Sequence, residues 1–321
     1  MSDHKPMAQK LALMILGAMV FAGVVIAFIN ADGLKVGPTG ERHYSAASDA
    51  HENVPTVDVA AVTVVPPIGL SLGLNYSLET VAKGNAVVPR IFLSSVPAEL
   101  ASVKETALKK RLFFKTVLPL ILQANQDILQ DREKLLALRD KQVAGVAFSG
   151  TERLWLTVMA ERYRLESPDI AKLAHRVDIV PPSMALAQAA KESGWGTSRF
   201  AREGNALFGQ WTWEKGESGL VPDARIEGKT HRVRAFEDLL GSVKAYIQNL
   251  NNHNAYREFR SQRAALRSRG KPMQGVALVG TLHRYSELGT EYTDRLKTMI
   301  QSNDLSRLDD AELAAHDIPE N

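Results

Sequence analysis

The chain has 321 residues, an ordinary hydrophobic content of 45%, a net charge of +3 and no cysteine. That length holds one or two domains with appendages. The missing cysteines exclude disulfides, thiolate metal sites and a cysteine nucleophile. The small positive charge suits an anionic polymer matrix and gives no reason to expect a nucleic-acid partner.

Leu11 to Ile29 carries no charge, with Lys5 and Lys10 before it and Asp32 after it. A run of about 20 apolar residues spans a bilayer as a helix. Its positive flank keeps the N-terminus in the cytoplasm. This predicts a cytoplasmic tail at 1–10 and a transmembrane anchor at 11–29. The protein is then single-pass in the inner (cytoplasmic) membrane, with its bulk on the periplasmic or wall side. A cleaved signal peptide is the competing reading. Its apolar region is usually only about 7–15 residues, and Ala27 to Ala31 offers no clean cleavage site. Residues 30–97 scatter Pro38, Pro55, Pro66, Pro67 and Pro89 without helical period. They read as a disordered linker, with a stray strand at most within 57–65.

Order is expected to resume in a helical extension at 98–145. Leu108, Leu112, Phe113, Val117, Leu120 and Ile121 recur at helical spacing, and Pro119 kinks or divides the run. Trp155, Leu156, Met159 and Tyr163 mark another helix. Ser167-Pro168-Asp169 starts a short one at Ile170. Pro181-Pro182 opens a helix that runs to Glu192. Residues 209–236, with Gly216, Gly219, Pro222 and Gly228, read as an irregular or β-hairpin lobe. Leu239, Leu240, Val243, Tyr246, Ile247 and Leu250 then fit one apolar helical stripe. Two shorter helices follow near 274–284 and 290–302, and an acidic tail at 305–321 frays. The expected fold class is mainly α (α+β), a helical lobe with a small β-hairpin lobe.

The chemistry gathers at residues 184–213. Glu192 shares a helix face with Gln188, Ala189 and Ala185. Ser193-Gly194-Trp195-Gly196 ends that helix and lets backbone approach closely. A carboxyl group partly desolvated there holds its proton toward neutral pH, which a departing glycosidic oxygen requires. An arbitrary Glu at a helix end is otherwise a surface residue. Trp195 and Phe208 read as packing, while Trp211 and Trp213 read as cleft aromatics that stack on sugar rings. The histidines show no metal-ligand spacing, so neither metal nor cofactor is expected. Arg257, Arg260, Arg263 and Arg267 lie near one helical face, read as solvated or as a contact for an anionic polymer.

Ala187-Gln188-Ala189-Ala190-Lys191-Glu192-Ser193-Gly194-Trp195-Gly196 resembles the helix-to-turn signature of glycoside hydrolase family 73, the bacterial endo-β-N-acetylglucosaminidases. Asn205-Ala206-Leu207-Phe208-Gly209 is similar to that family's loop, and Tyr285 to Tyr292 to its paired-tyrosine segment. The earlier helices and the N-terminal apolar run resemble its Bax-type, membrane-anchored branch. The resemblance implies a lysozyme-like domain at 146–304. It implies Glu192 as general acid, Tyr285 and Tyr292 flanking the cleft, and Gln188, Trp211 and Trp213 at the substrate. Two tyrosines at this spacing equally well anchor the last helix to the core. Many members carry a second acid four residues before a glycine in the β-lobe. Counting back from Gly228 reaches Ala224, and Asp223 is its acidic neighbour. The expected partners are peptidoglycan glycan strands, and the membrane through the N-terminal helix. The expected reaction is hydrolysis of β-1,4 bonds. A lytic transglycosylase and a wall-binding or assembly module without catalysis are the alternatives.

Overall fold

The computed structural model describes residues 64–65, 74–212, 217–222 and 232–315. They lie within one compact unit, Val64–Asn321. Strand β1 (Val64–Val65) pairs in parallel with β2 (Phe92–Leu93), and helix α1 (Leu78–Ala82) lies between them in the chain. Helix α2 (Thr106–Val143) follows, started by Glu105, whose carboxylate accepts from the N–H groups of Ala107 and Leu108. It runs unbroken through Pro119, so the proline neither divides it nor marks a domain boundary. Residues 116–125 are buried on every side of this helix, and that packing outweighs one lost backbone bond.

Helix α3 (Gly150–Arg162) begins with a capping box between Ser149 and Glu152. Helix α4 (Ile170–Arg176) begins at Asp169, whose side chain accepts from Lys172 N at 2.9 Å. Leu156, Met159, Tyr163, Leu173 and Val177 pack these two helices against Leu135 and Leu138 of α2. Helix α5 (Pro182–Ser193) is the centre of the molecule. Residues 182–190 are all buried, as befits a helix that is small and apolar on every face. Around it pack α2, helix α9 (Gly275–Leu278), helix α10 (Thr290–Ser302) and the 3₁₀ turn Leu305–Leu308. Helix α6 (Arg199–Gly204) leads into a three-stranded antiparallel sheet of order β3 (Trp211–Thr212), β5 (Arg232–Arg234), β4 (Gly219–Leu220). Helices α7 (Leu239–Asn252) and α8 (Arg257–Ser268) complete the body. The protein is thus mainly helical with a small antiparallel sheet.

Three expectations change. The linker expected over 30–97 does not reach its stated end. From Leu74 onward the chain is packed, with Leu74, Val81, Val88, Phe92, Leu93 and Val96 buried. Pro89 punctuates a wrapped segment whose apolar residues are too widely spaced to show a period. The acidic tail does not fray before 315 either: Leu305 and Leu308 are buried, and Val88 bridges Leu313. The arginine face of α8 is solvated only in part, since Arg257 and Arg267 are exposed. Arg260 and Arg263 are buried because carbonyls of other elements satisfy them: Leu250 and His253 for Arg260, Asp178 and Ile179 for Arg263. The helical extension at 98–145 is joined to the same core, since Phe113 and Phe114 pack edge-on against Trp195. Among the described residues no helix is long and apolar enough to cross a membrane, and Leu11–Ile29 lies outside them.

Candidate active site

Both ends of α5 are fixed from outside the helix. Its N-cap, Pro181, has no side chain that can cap. The carboxylate of Asp309 serves instead, accepting from Ser183 N (2.8 Å), Ser183 Oγ (2.8 Å) and Gly275 N (2.9 Å). One residue upstream, Asn125 exchanges two hydrogen bonds with the backbone of Val180. Gly275 must be glycine, because a Cβ there would strike Ser183 Oγ. At the other end Gly194 turns left-handed with φ 57°, and Trp195 and Gly196 follow with positive φ. Ser193 Oγ donates to Ala189 O and accepts from Gly196 N at 2.8 Å, which locks the turn. A Cβ on Gly196 would press on Val96, Phe113 and Leu100.

Glu192 is held in the last turn of this helix. Its Oε1 accepts a hydrogen bond from the Tyr292 hydroxyl at 2.9 Å. Burial pushes the Glu192 carboxyl above the usual carboxylate range; the Tyr292 hydrogen bond and the Lys191 charge pull against it without cancelling it. Lys191 Nζ itself lies over the Tyr292 ring, 5.4 Å from its centroid. The arrangement can hold a proton on a carboxyl group and present it to a leaving oxygen.

The structure brings Gln188, Glu192, Tyr285 and Tyr292 together. Gln188 and Tyr292 are expected at the substrate, yet both are buried, with 0% and 1% exposure. The spacing that put Gln188 on the Glu192 face says nothing of depth. Its Nε2 donates to the Tyr292 hydroxyl at 3.0 Å. Tyr285 is half-buried; its ring stacks on Tyr292 (5.6 Å, 7°) and its hydroxyl donates to Phe208 O at 3.1 Å. Trp211 is half-buried on β3. Trp213 and Asp223 lie outside the described residues, as do Glu214 and Glu227. Glu217 is committed to the sheet: it accepts from Thr212 Oγ1 and pairs with Arg234 at 3.3 Å.

Sequence reasoning missed Tyr246. Its hydroxyl donates to Gln188 Oε1 at 2.5 Å, and its ring stacks on Phe208 with centroids 3.8 Å apart. One signal was available. A tyrosine inside an apolar stripe needs a buried partner for its hydroxyl, and so does a glutamine among alanines. Among the described residues no group of three or more histidines or acids stands close enough to hold a metal ion.

Comparison with known proteins follows the same outline. A family model described as mannosyl-glycoprotein endo-beta-N-acetylglucosaminidase, the glucosaminidase family, matches residues 167–305. Protein bax of Escherichia coli (strain K12) is 38% identical over 216 residues, covering 65% of this chain and 75% of that protein. No solved structure matches the chain.

Proposed function

Since the chain belongs to the glucosaminidase family, in the branch of Protein bax, we propose that it hydrolyses β-1,4 glycosidic bonds of peptidoglycan with Glu192 as general acid. Family membership supports a glycosidase. The observation that carries the choice of residue is the half-buried carboxyl of Glu192 in the last turn of α5, partly desolvated and held through Oε1 by the Tyr292 hydroxyl. A raised value keeps the acid protonated where it is needed, and protonation of the glycosidic oxygen lets the bond break. The scissile bond in this reading is on the reducing side of N-acetylglucosamine.

A lytic transglycosylase is the second reading, and one observation favours it. Among the described residues Glu217 is the acid of the small sheet, and Thr212 and Arg234 already hold it. A one-acid mechanism needs either the substrate's own 2-acetamido group or internal attack in place of a second carboxylate. The products separate the two readings. Purified sacculi are digested with the full chain, and the released ends are identified by mass spectrometry. Reducing N-acetylglucosamine ends support the glucosaminidase; anhydro-muramic ends establish the transglycosylase instead. Glu192→Gln is expected to lower the rate at least ~10²-fold. Activity within twofold of wild type removes Glu192 from the mechanism.

The same reading places the enzyme in the cytoplasmic membrane through 11–29, with its catalytic body outside. Full-length protein is expected to stay with membranes through a carbonate wash. A mature N-terminus found at or after Ala31 overturns the anchor.

A further inference from the structure

Gln188 and Tyr246 have no exposed surface, so neither touches a glycan. Both are polar, and their hydrogen bonds run toward Glu192. The Tyr246 hydroxyl meets Gln188 Oε1, a carbonyl oxygen that can only accept. Gln188 Nε2, which can only donate, meets the Tyr292 hydroxyl. That hydroxyl's own hydrogen is left to point at Glu192 Oε1. We propose that Tyr246 and Gln188 are positioning residues that fix the direction of this relay, so that Tyr292 always donates to Glu192 Oε1 and the transferable proton is confined to Oε2. The proposal rests on the reading of Glu192 as the acid.

Direction is the point at issue. A Gln188 amide turned by half a rotation would offer Oε1 to Tyr292 and Nε2 to Tyr246. Tyr292 would then donate to Gln188 and accept from Glu192, and the acid's proton would sit on Oε1 inside the protein. The Tyr246 hydroxyl opposes that turn, because Gln188 Oε1 is the acceptor its hydrogen uses. The rings cannot swing to relieve it. Phe208 lies flat on Tyr246, Tyr285 lies flat on Tyr292, and Tyr285 is tied to the Phe208 carbonyl. Among the described residues, the titratable and charged groups acting on Glu192 are Lys191 of α5 and Tyr292 of α10. Tyr246 of α7, Tyr256 of the turn Asn254–Tyr256 and Tyr285 before α10 surround them.

The test is titration of the Glu192 carboxyl in the full chain by carbon-13 NMR of labelled glutamate, with Glu192→Gln identifying the resonance. Tyr292→Phe removes a donor to the charged form and is expected to raise the Glu192 pKa by about one unit. Tyr246→Phe should raise it in the same direction by less. In the double variant Tyr246→Phe should add nothing, because Tyr246 acts only through Tyr292. The basic limb of the kcat–pH profile should move upward with each titration while KM stays unchanged, which a merely structural role would not produce. Gln188→Met, which keeps length but breaks the link between Tyr246 and Tyr292 while leaving the Tyr292 hydroxyl in place, should titrate like Tyr246→Phe and serves if that variant fails to fold. A Tyr246→Phe protein that titrates like wild type, or whose effect adds to that of Tyr292→Phe, overturns the relay. Absence of glycan cleavage by the wild type overturns the proposed function, and the titration still decides the relay.

Discussion

Glu192 carries a cost to the fold as well as a role in chemistry. Burial raises its folded pKa above the unfolded value, so the ionised form opposes folding at higher pH. That cost is relieved as pH falls through the folded value. Glu192→Gln keeps the shape and removes the charge. It is expected to raise the Tm near pH 8, with the gain shrinking toward pH 4. Thermal melts across that range check it, and a variant no more stable than wild type at pH 8 contradicts a desolvated acid. The acid was legible in the sequence because a left-handed Gly-Trp-Gly turn follows it, which few helix ends have. Depth was not legible. Helical spacing shows which residues share a face, and only the third dimension shows that α10 and α7 close over Gln188 with Tyr292 and Tyr246.

At the scale of elements, apolar period predicted α7, whose Leu239, Leu240, Val243, Tyr246, Ile247 and Leu250 turn one continuous stripe to the core. The spacing of the α8 arginines did not show that Arg260 and Arg263 find buried acceptors on other elements. Arg263 is 1% exposed and donates to carbonyls of His175, Arg176, Asp178 and Ile179. Burial pulls its guanidinium down to about 10, with Asp178 offsetting part of the shift. Asp178 is pushed up by burial, but the hydrogen bond from Arg267 and the charges of Arg263 and Arg132 more than offset this and hold it below the usual range. These contacts tie α8 to the end of α4 and to the entry of α5. Arg263→Met leaves a buried carboxylate with fewer partners and several carbonyls unsatisfied. It is expected to lower stability by about 3 kcal/mol or more in urea unfolding, with the m-value unchanged. Asp309→Ala removes the shared cap of α5 and α9, and a loss of about 2 kcal/mol is expected. A loss below about 0.5 kcal/mol would show that water serves those N–H groups equally well.

Among the described residues three carboxylates have raised values, Asp131, Glu192 and Asp309. Burial lifts Asp309 to about 6, against hydrogen bonds from Ser183 and Gly275. Its ionised form therefore weighs on the fold above about pH 6, and stability is gained as pH falls from there toward its ordinary value of 3.8. Asp178 works in the opposite sense: the stability it gives is lost as pH falls through its lowered value. The Tm of the full chain is expected to peak in mild acid, and Asp309→Asn should flatten its rise between about pH 6 and pH 4. An unaltered slope in that variant would assign the effect elsewhere. Domain organisation was the least legible level. Neither the segment from Leu74 nor the one from Leu305 has a period of its own, because each is a cover for apolar surface that others expose.

Asp309 also sets a clock. It lies 126 residues beyond Ser183, the residue whose N–H it holds. At synthesis rates of roughly 5–20 residues per second, α5 leaves the ribosome roughly 6–25 s before the group that caps it. Through that interval the helix bearing the acid has no partner for its first turn, and Gly275 has not yet docked on it. A nascent chain therefore holds the acid well before it holds the cap of the helix that carries it, and a chain broken off short of residue 309 lacks that cap.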